Sequence, residues 1–74
     1  MGRLAGLKAR DVEKRLRALG FVLDREAGGS HEIWRNVEHR RFVLVRHPGD
    51  YPEGLLRACL RDAGISVDDF LNAR

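Results

Sequence analysis

The residues best suited to chemistry lie in the stretch Gly28-Gly29-Ser30-His31. The two glycines predict a tight turn, and the histidine then opens an apolar run that leads to Trp34. Because an imidazole can gain or lose a proton near neutral pH, His31 is a candidate for proton transfer. The alternative is an ordinary surface histidine on a strand. Two further histidines are His39, which lies in a polar turn and is expected to be structural, and His47, which precedes a Pro-Gly pair.

Other kinds of chemistry find little support in the sequence. The single cysteine, Cys59, has no partner for a disulfide or a zinc site, and its place on an apolar helix stripe indicates a buried, reduced thiol. The histidines lack metal-ligand spacing with a carboxylate, and Gly28-Gly29 is too short to cradle a phosphate. We therefore expect no metal and no cofactor.

The chain is basic, with 14 Lys and Arg against 11 Asp and Glu, a net charge of +3 and a pI of about 9.8. This balance suits a polyanionic partner, although a solvated basic surface explains it equally well. Four basic residues in or just before the first predicted helix fall off its apolar stripe, where they either meet phosphates or form a solvated helix face: Lys8, Arg10, Lys14 and Arg17.

The 74 residues predict one domain, with residues 1–6 as a flexible lead. Apolar periodicity predicts helices over residues 9–19 and 53–63, and a short third helix after Ser66. Residues 21–25, 30–35 and 41–46 predict three strands, joined by short loops that favour an antiparallel meander. No apolar run is long enough to span a membrane and the N-terminus has no signal core, so we expect a cytoplasmic protein.

This order predicts an α+β fold, α-β-β-β-α, with a three-stranded antiparallel sheet, both long helices on one face, and a short C-terminal helix. Since Trp34 prefers burial, it should face the helices and leave His31 and Arg35 on the open face. The segment from Phe42 to Val45 is apolar at every position, whereas a strand with one wet face should alternate. We therefore expect an interface at the third strand or the open face, with a partner protein or with a second copy in a homo-oligomer.

Taken together, these segments resemble the HicA family of toxins, small mRNA interferases of toxin–antitoxin pairs whose fold is like that of double-stranded-RNA-binding domains. The resemblance runs from Val12 to about Leu71. Its motifs, in order, are Leu19-Gly20-Phe21, Gly29-Ser30-His31, Arg46-His47-Pro48-Gly49, Gly54-Leu55-Leu56-Arg57 and the segment from Leu60 to Ser66. Many members carry a second histidine directly after the first, where this chain has Glu32.

The resemblance implies a metal-independent endoribonuclease in which His31 is catalytic. Since RNA supplies its own nucleophile, the 2′-hydroxyl, His31 would either take that proton or protonate the leaving 5′-oxygen. Arg35 or Arg46 would stabilise the phosphorane, or else lie on a solvated face. His47 would be the complementary acid or base, a phosphate contact, or a turn histidine bonded to the backbone. Ser30 would orient the imidazole or only serve the turn. The residues expected to bind RNA are Lys8, Arg10, Lys14, Arg17, Arg57 and Arg61.

The implied partners are mRNA and an antitoxin of the HicB type. Two other functions remain open at this point. One is a non-catalytic RNA-binding module, because the same fold grips duplex RNA through phosphates and 2′-hydroxyls. The other is a protein-interaction subunit, for which the apolar run from Phe42 to Val45 is the motivation.

Overall fold

A computed structural model describes residues 3–38 and 40–73 of the chain. The elements follow one another in the predicted order: α1 (Ala9–Ala18), β1 (Val22–Glu26), β2 (His31–Arg35), β3 (Arg41–Val45), α2 (Glu53–Ala63) and α3 (Val67–Asn72). The α+β class and the α-β-β-β-α order are confirmed. His39 lies outside the described residues, so the expectation for it stays a prediction.

Both long helices end in the same way, as the two glycines that follow them predict. Gly20 and Gly64 have φ angles of 90° and 74°, in the left-handed region that a Cβ disfavours. The residue after each glycine donates its backbone N–H to a carbonyl in the last turn of the helix. The Phe21 N–H donates to the Leu16 carbonyl and the Ile65 N–H to the Leu60 carbonyl, both at 2.9 Å. These bonds fix the angle at which the chain leaves each helix. The first therefore sets the direction of β1.

The three strands form one antiparallel sheet in the order β1-β2-β3. In its register His31 pairs with Val45, and Trp34 pairs with Phe42. Asp24 is an extra residue in β1, since Leu23 pairs with Trp34 and the next pairing skips to Arg25. Phe21, predicted as the first residue of β1, instead lies just before it and is buried.

Alternation along β2 and β3 divides the sheet into a covered face and an open face. Trp34, Phe42 and Leu44 are buried on the covered face, where α2 packs on β3 and Arg17 of α1 lies over the Trp34 ring, 5.2 Å from its centroid. Val43 points the other way and is 44% exposed. The core is a single layer between helices and sheet, and its largest buried side chains are Trp34, Phe70, Leu4, Leu16, Leu44, Leu56, Leu60 and Val12.

The expectation of a flexible lead is wrong at Leu4, whose side chain is fully buried in the core. The segment after it is tied to the loop that follows β3. The Tyr51 N–H donates to the Leu7 carbonyl at 2.8 Å, and Lys8 forms an isolated antiparallel bridge with Asp50. A lone leucine between small and polar residues gives no periodic signal, so the sequence could not show that this segment packs.

No helix in the described part of the chain is long and apolar enough to cross a membrane.

Substituting Leu4 by alanine tests whether the lead belongs to the core. We expect Leu4→Ala to lower the free energy of unfolding by about 2–5 kcal/mol, because it removes a fully buried side chain and leaves a cavity. Val37→Ala is the matched control: its side chain is 83% exposed, so its effect should stay within about 0.5 kcal/mol. Urea unfolding followed by circular dichroism measures both, and equal effects would show that Leu4 is not anchored.

Candidate functional site

His31 is the first residue of β2 and lies directly after the predicted turn. Gly28 and Gly29 take φ angles of 95° and 55°, which explains why both positions are glycine. The His31 N–H donates to the Gly28 carbonyl at 3.1 Å, and its own carbonyl accepts from the Ala27 N–H at 2.9 Å. The backbone of His31 is therefore fixed while its side chain is exposed on the open face, as the burial of Trp34 predicted.

A pocket of about 500 Å³ opens next to this turn. It is lined by the start of α1 (residues 8–10), by Ser30, and by the loop after β3 (residues 46–49). The Arg46 N–H donates to the Ser30 carbonyl at 2.7 Å, which joins two of these walls. The structure thus brings together Ser30, Arg46 and His47 and adds the basic start of α1 to them.

Arg46, which lines this pocket, is held between two carboxylates. Its guanidinium nitrogens lie 3.6 Å from Glu13 Oε2 and 3.5 Å from Glu32 Oε2. Glu32 is only 4% exposed, and its other oxygen accepts a hydrogen bond of 3.1 Å from Trp34 Nε1. Because both carboxylates balance its charge, Arg46 fits the role of a structural cation better than that of a donor to a phosphorane.

Glu13 and Glu32 are site residues that the sequence reasoning missed. Glu32 shares its strand face with Trp34, so alternation alone assigns it to the covered face, where an unpaired carboxylate would be costly. That conflict was the available signal for a buried ionic contact. Glu13 gave no such signal, because it lies among other charged residues of the first predicted helix.

His47 lines the pocket and lies beside Tyr51, with 6.1 Å between their ring centroids. Its Nδ1 is buried and has no hydrogen-bond partner among residues 3–38 and 40–73. Tyr51 is 3% exposed, and burial raises the pKa of its hydroxyl to about 12, with Cys59 and Glu13 adding to the shift.

Arg35 is not brought to His31, although both lie on the open face. They are four positions apart along β2, which is roughly 13 Å in a strand. The Arg35 guanidinium lies 3.5 Å from the carboxylate of Asp24, the bulged residue of β1. Arg41 donates to the same carboxylate at 3.2 Å, and this hydrogen bond is the main reason why the pKa of Asp24 is lowered. These three residues form an ion-pair cluster at the opposite end of the strand.

The residues expected to bind RNA are exposed on both helices, but they differ in their partners. Lys8 donates to Asp50 at 2.8 Å, and this hydrogen bond raises the pKa of Lys8. Arg17 lies 3.9 Å from Glu13, and Arg57 lies 3.8 Å from Glu53. Three of them have no ion pair within the described ranges: Arg10, Lys14 and Arg61.

No cluster of three or more His, Cys, Asp or Glu side chains that could hold a metal ion occurs within the described ranges. The titratable side chains that line the pocket are Lys8, Arg10, Arg46 and His47, which can supply positive charge and proton transfer.

Tyr51 is the only tyrosine in the sequence, so its ionisation can be followed directly by phenolate absorbance. We expect a midpoint near pH 12 in the folded protein and near the ordinary value of about 10 in urea. Since the folded state keeps this proton longer than the unfolded state, stability is intact below pH 10 and falls between pH 10 and 12. Tyr51→Phe should lose this part of the alkaline slope, and a native midpoint near 10 would contradict the burial of the hydroxyl.

The family model described as the HicA toxin of bacterial toxin–antitoxin systems matches residues 9–65 of the 74, which include the whole sheet, α1, α2 and the turn that carries His31. A search of curated proteins found no match. The match covers well over half of the chain, and the chain belongs to the HicA toxin family.

Proposed function

We propose that this protein is the toxin of a toxin–antitoxin pair and acts as a metal-independent endoribonuclease on mRNA in the cytoplasm. The observation that carries the proposal is the place of His31: an exposed imidazole at the start of β2, directly after Ser30, which lines a pocket whose walls also carry Lys8, Arg10 and His47. Family membership supports the toxin role, and the basic net charge suits an RNA substrate.

The reaction needs only proton transfer and charge stabilisation. The 2′-hydroxyl oxygen attacks the adjacent phosphorus and loses its proton, the bond from phosphorus to the 5′-oxygen breaks, and that oxygen gains a proton. The products are a 2′,3′-cyclic phosphate and a 5′-hydroxyl. We assign one of the two proton transfers to His31, whose exposed ring an RNA strand on the open face can reach.

The second proton transfer is assigned to His47, which lines the pocket next to this turn. Arg10 supplies positive charge there, since no carboxylate pairs with it in the described chain, whereas Arg46 is neutralised by Glu13 and Glu32. Fixed cations stabilise the charge that develops on the phosphorane. Ser30 holds the pocket wall next to His31 through the bond from its carbonyl to the Arg46 amide.

His31→Ala tests the catalytic assignment. We expect cleavage of single-stranded RNA in EDTA to fall by about 10²–10⁴-fold, the usual contribution of one positioned acid or base. His31→Gln should fall by a similar factor, because glutamine keeps a polar side chain but cannot transfer the proton. Both variants should keep the wild-type circular dichroism, since the side chain is exposed. Cleavage by either variant at the wild-type rate would refute the assignment, while RNA binding without turnover by the wild type would favour a binding module.

The same proposal assigns the open sheet face to the antitoxin. Val43 is 44% exposed there, with Ile33 as its cross-strand neighbour and Val45 two residues along the strand. Val45 pairs with His31 across the strands, so a protein that packs on these apolar side chains also covers the imidazole. Neutralisation of the toxin would then follow from simple occlusion of its catalytic residue.

Val43→Asp should weaken binding of the cognate antitoxin by at least a hundredfold, because a buried charge without a partner costs several kcal/mol. RNA cleavage by this variant should stay near the wild-type rate. Isothermal titration measures the first and a cleavage assay the second. Unchanged antitoxin affinity would place the interface elsewhere, and a concentration-dependent dimer of the free toxin that Val43→Asp abolishes would assign this face to a second copy.

A further inference from the structure

The open face of the sheet carries more positive than negative charge. Residues that pair across antiparallel strands share a face, so the register places Arg25, Arg35 and Arg41 on this side. Among the acidic residues of the three strands, Asp24 alone lies here, with its carboxylate against Arg35 and Arg41. Three arginines against one aspartate leave a surplus of two positive charges on the face.

Aliphatic side chains fill the middle of the same face. Ile33 and Val43 pair with each other at its centre, and Val43 and Val22 are 44% and 45% exposed. Every aromatic residue of the chain is buried: Phe21, Trp34, Phe42, Tyr51 and Phe70. The surface thus has no Phe, Tyr or Trp ring on which a nucleobase could stack, whereas aliphatic side chains between arginines suit a protein partner.

The surplus charge also bears on which protein this can be. A second copy of the chain would bring two such faces together, with the arginines of one against those of the other. Like charges that meet across an interface suppress association. The face therefore fits a surface of the opposite sign, with aliphatic side chains in the middle and carboxylates towards the arginines.

Asp24 engages only one edge of the two guanidinium groups that it contacts. Its carboxylate oxygens lie 3.5 Å from Arg35 Nε and 3.2 Å from Arg41 Nε. The Nη groups of both arginines have no hydrogen-bond partner within the described ranges, and the Arg41 side chain is 58% exposed. A further carboxylate can bond to these Nη groups, where it would lie close enough to Asp24 to be repelled by its charge.

We propose that the open face docks an acidic protein surface, that one of its carboxylates binds the Nη groups of Arg35 and Arg41, and that Asp24 weakens this contact. The inference rests on the proposed function, in which the docked protein is the antitoxin. It adds the charge that the antitoxin has to present and a residue of the toxin that limits how tightly the antitoxin is held.

Isothermal titration of the full chain with the antitoxin tests the role of Asp24. Asp24→Asn should raise the affinity by about three- to tenfold, because the repulsion between the two carboxylates is lost. Asp62→Asn is the matched control. It changes the net charge by the same amount at an exposed residue of α2, the helix that packs on the covered face, so its effect should stay below about twofold.

The arginines are tested in the same way. Arg41→Gln should weaken antitoxin binding by about tenfold or more, the usual value of a charge-assisted contact. Arg40→Gln removes the same charge from the preceding residue, whose guanidinium lies against Gly64 and donates to the Asp62 carbonyl at 3.4 Å, away from the open face. Its effect should stay below about threefold, the part due to net charge alone.

Equal losses for Arg41→Gln and Arg40→Gln, or a gain for Asp24→Asn no larger than that of its control, would overturn the proposal. Two further results would give the face to another occupant and overturn it as well. One is a larger effect of Arg41→Gln on the binding of a 2′-O-methyl RNA strand than on antitoxin binding. The other is a dimer of the free toxin that Arg41→Gln strengthens.

Cleavage of RNA in EDTA by the wild type is measured in parallel, so that the two proposals fail separately. If the wild type does not cleave RNA but the variants change antitoxin binding as stated, the docking face stands and the ribonuclease proposal falls. If the wild type cleaves RNA while Arg41→Gln binds the antitoxin like Arg40→Gln, the reverse holds.

Discussion

The buried carboxylate of Glu32 is the contact on which the arrangement of the site depends. It joins three parts of the chain: its own strand through Trp34 Nε1, the end of β3 through Arg46, and, through the second contact of Arg46, Glu13 of α1. Burying a charge is costly unless it is both paired and hydrogen-bonded, and Glu32 has both kinds of partner. A small domain whose core is one layer cannot tolerate a misplaced ion there, so the contact restricts how α1, β2 and β3 meet.

That restriction reaches the pocket and His31, the proposed catalytic residue, through the backbone. The Arg46 side chain is held by Glu13 and Glu32, and its backbone N–H donates to the Ser30 carbonyl at 2.7 Å. This hydrogen bond ties the turn before His31 to the end of β3. The direct neighbour of Glu32 in the strand must then point to the opposite face. The exposure of His31 is thus a consequence of the burial of Glu32 and Trp34, and requires no separate explanation.

Sequence patterns predicted the fold well because each signal was local. The stops at Gly20 and Gly64, the stripe of Leu56, Cys59 and Leu60, and the turn at Gly28 and Gly29 depend on backbone geometry and on one buried face. What could not be predicted were contacts between distant segments.

Two such contacts between distant segments are the burial of Leu4 in the core and the ion pair between Arg46 and Glu13. Each depends on where another element comes to lie, and the sequence carries no periodic mark of it. Arg35 and His31 were correctly placed on one face, but face alone does not give distance, and Asp24 holds Arg35 in a separate cluster. The proximity of Ser30 and His47, by contrast, follows from strand register once the antiparallel pairing of β2 and β3 is known.

Position 32 also bears on the chemistry of the site. The family resemblance predicts a second histidine at this position, so that Glu32 suggests at first that His31 lacks a partner. The geometry argues otherwise. A side chain at position 32 faces the core, against Trp34 and Arg46, and lies across the sheet from the imidazole of His31. A group in that place would act on a bound RNA only indirectly, through the residues it holds. The proposed second proton-transfer group, His47, comes from another segment: the loop after β3, which the sheet register brings to the turn before His31.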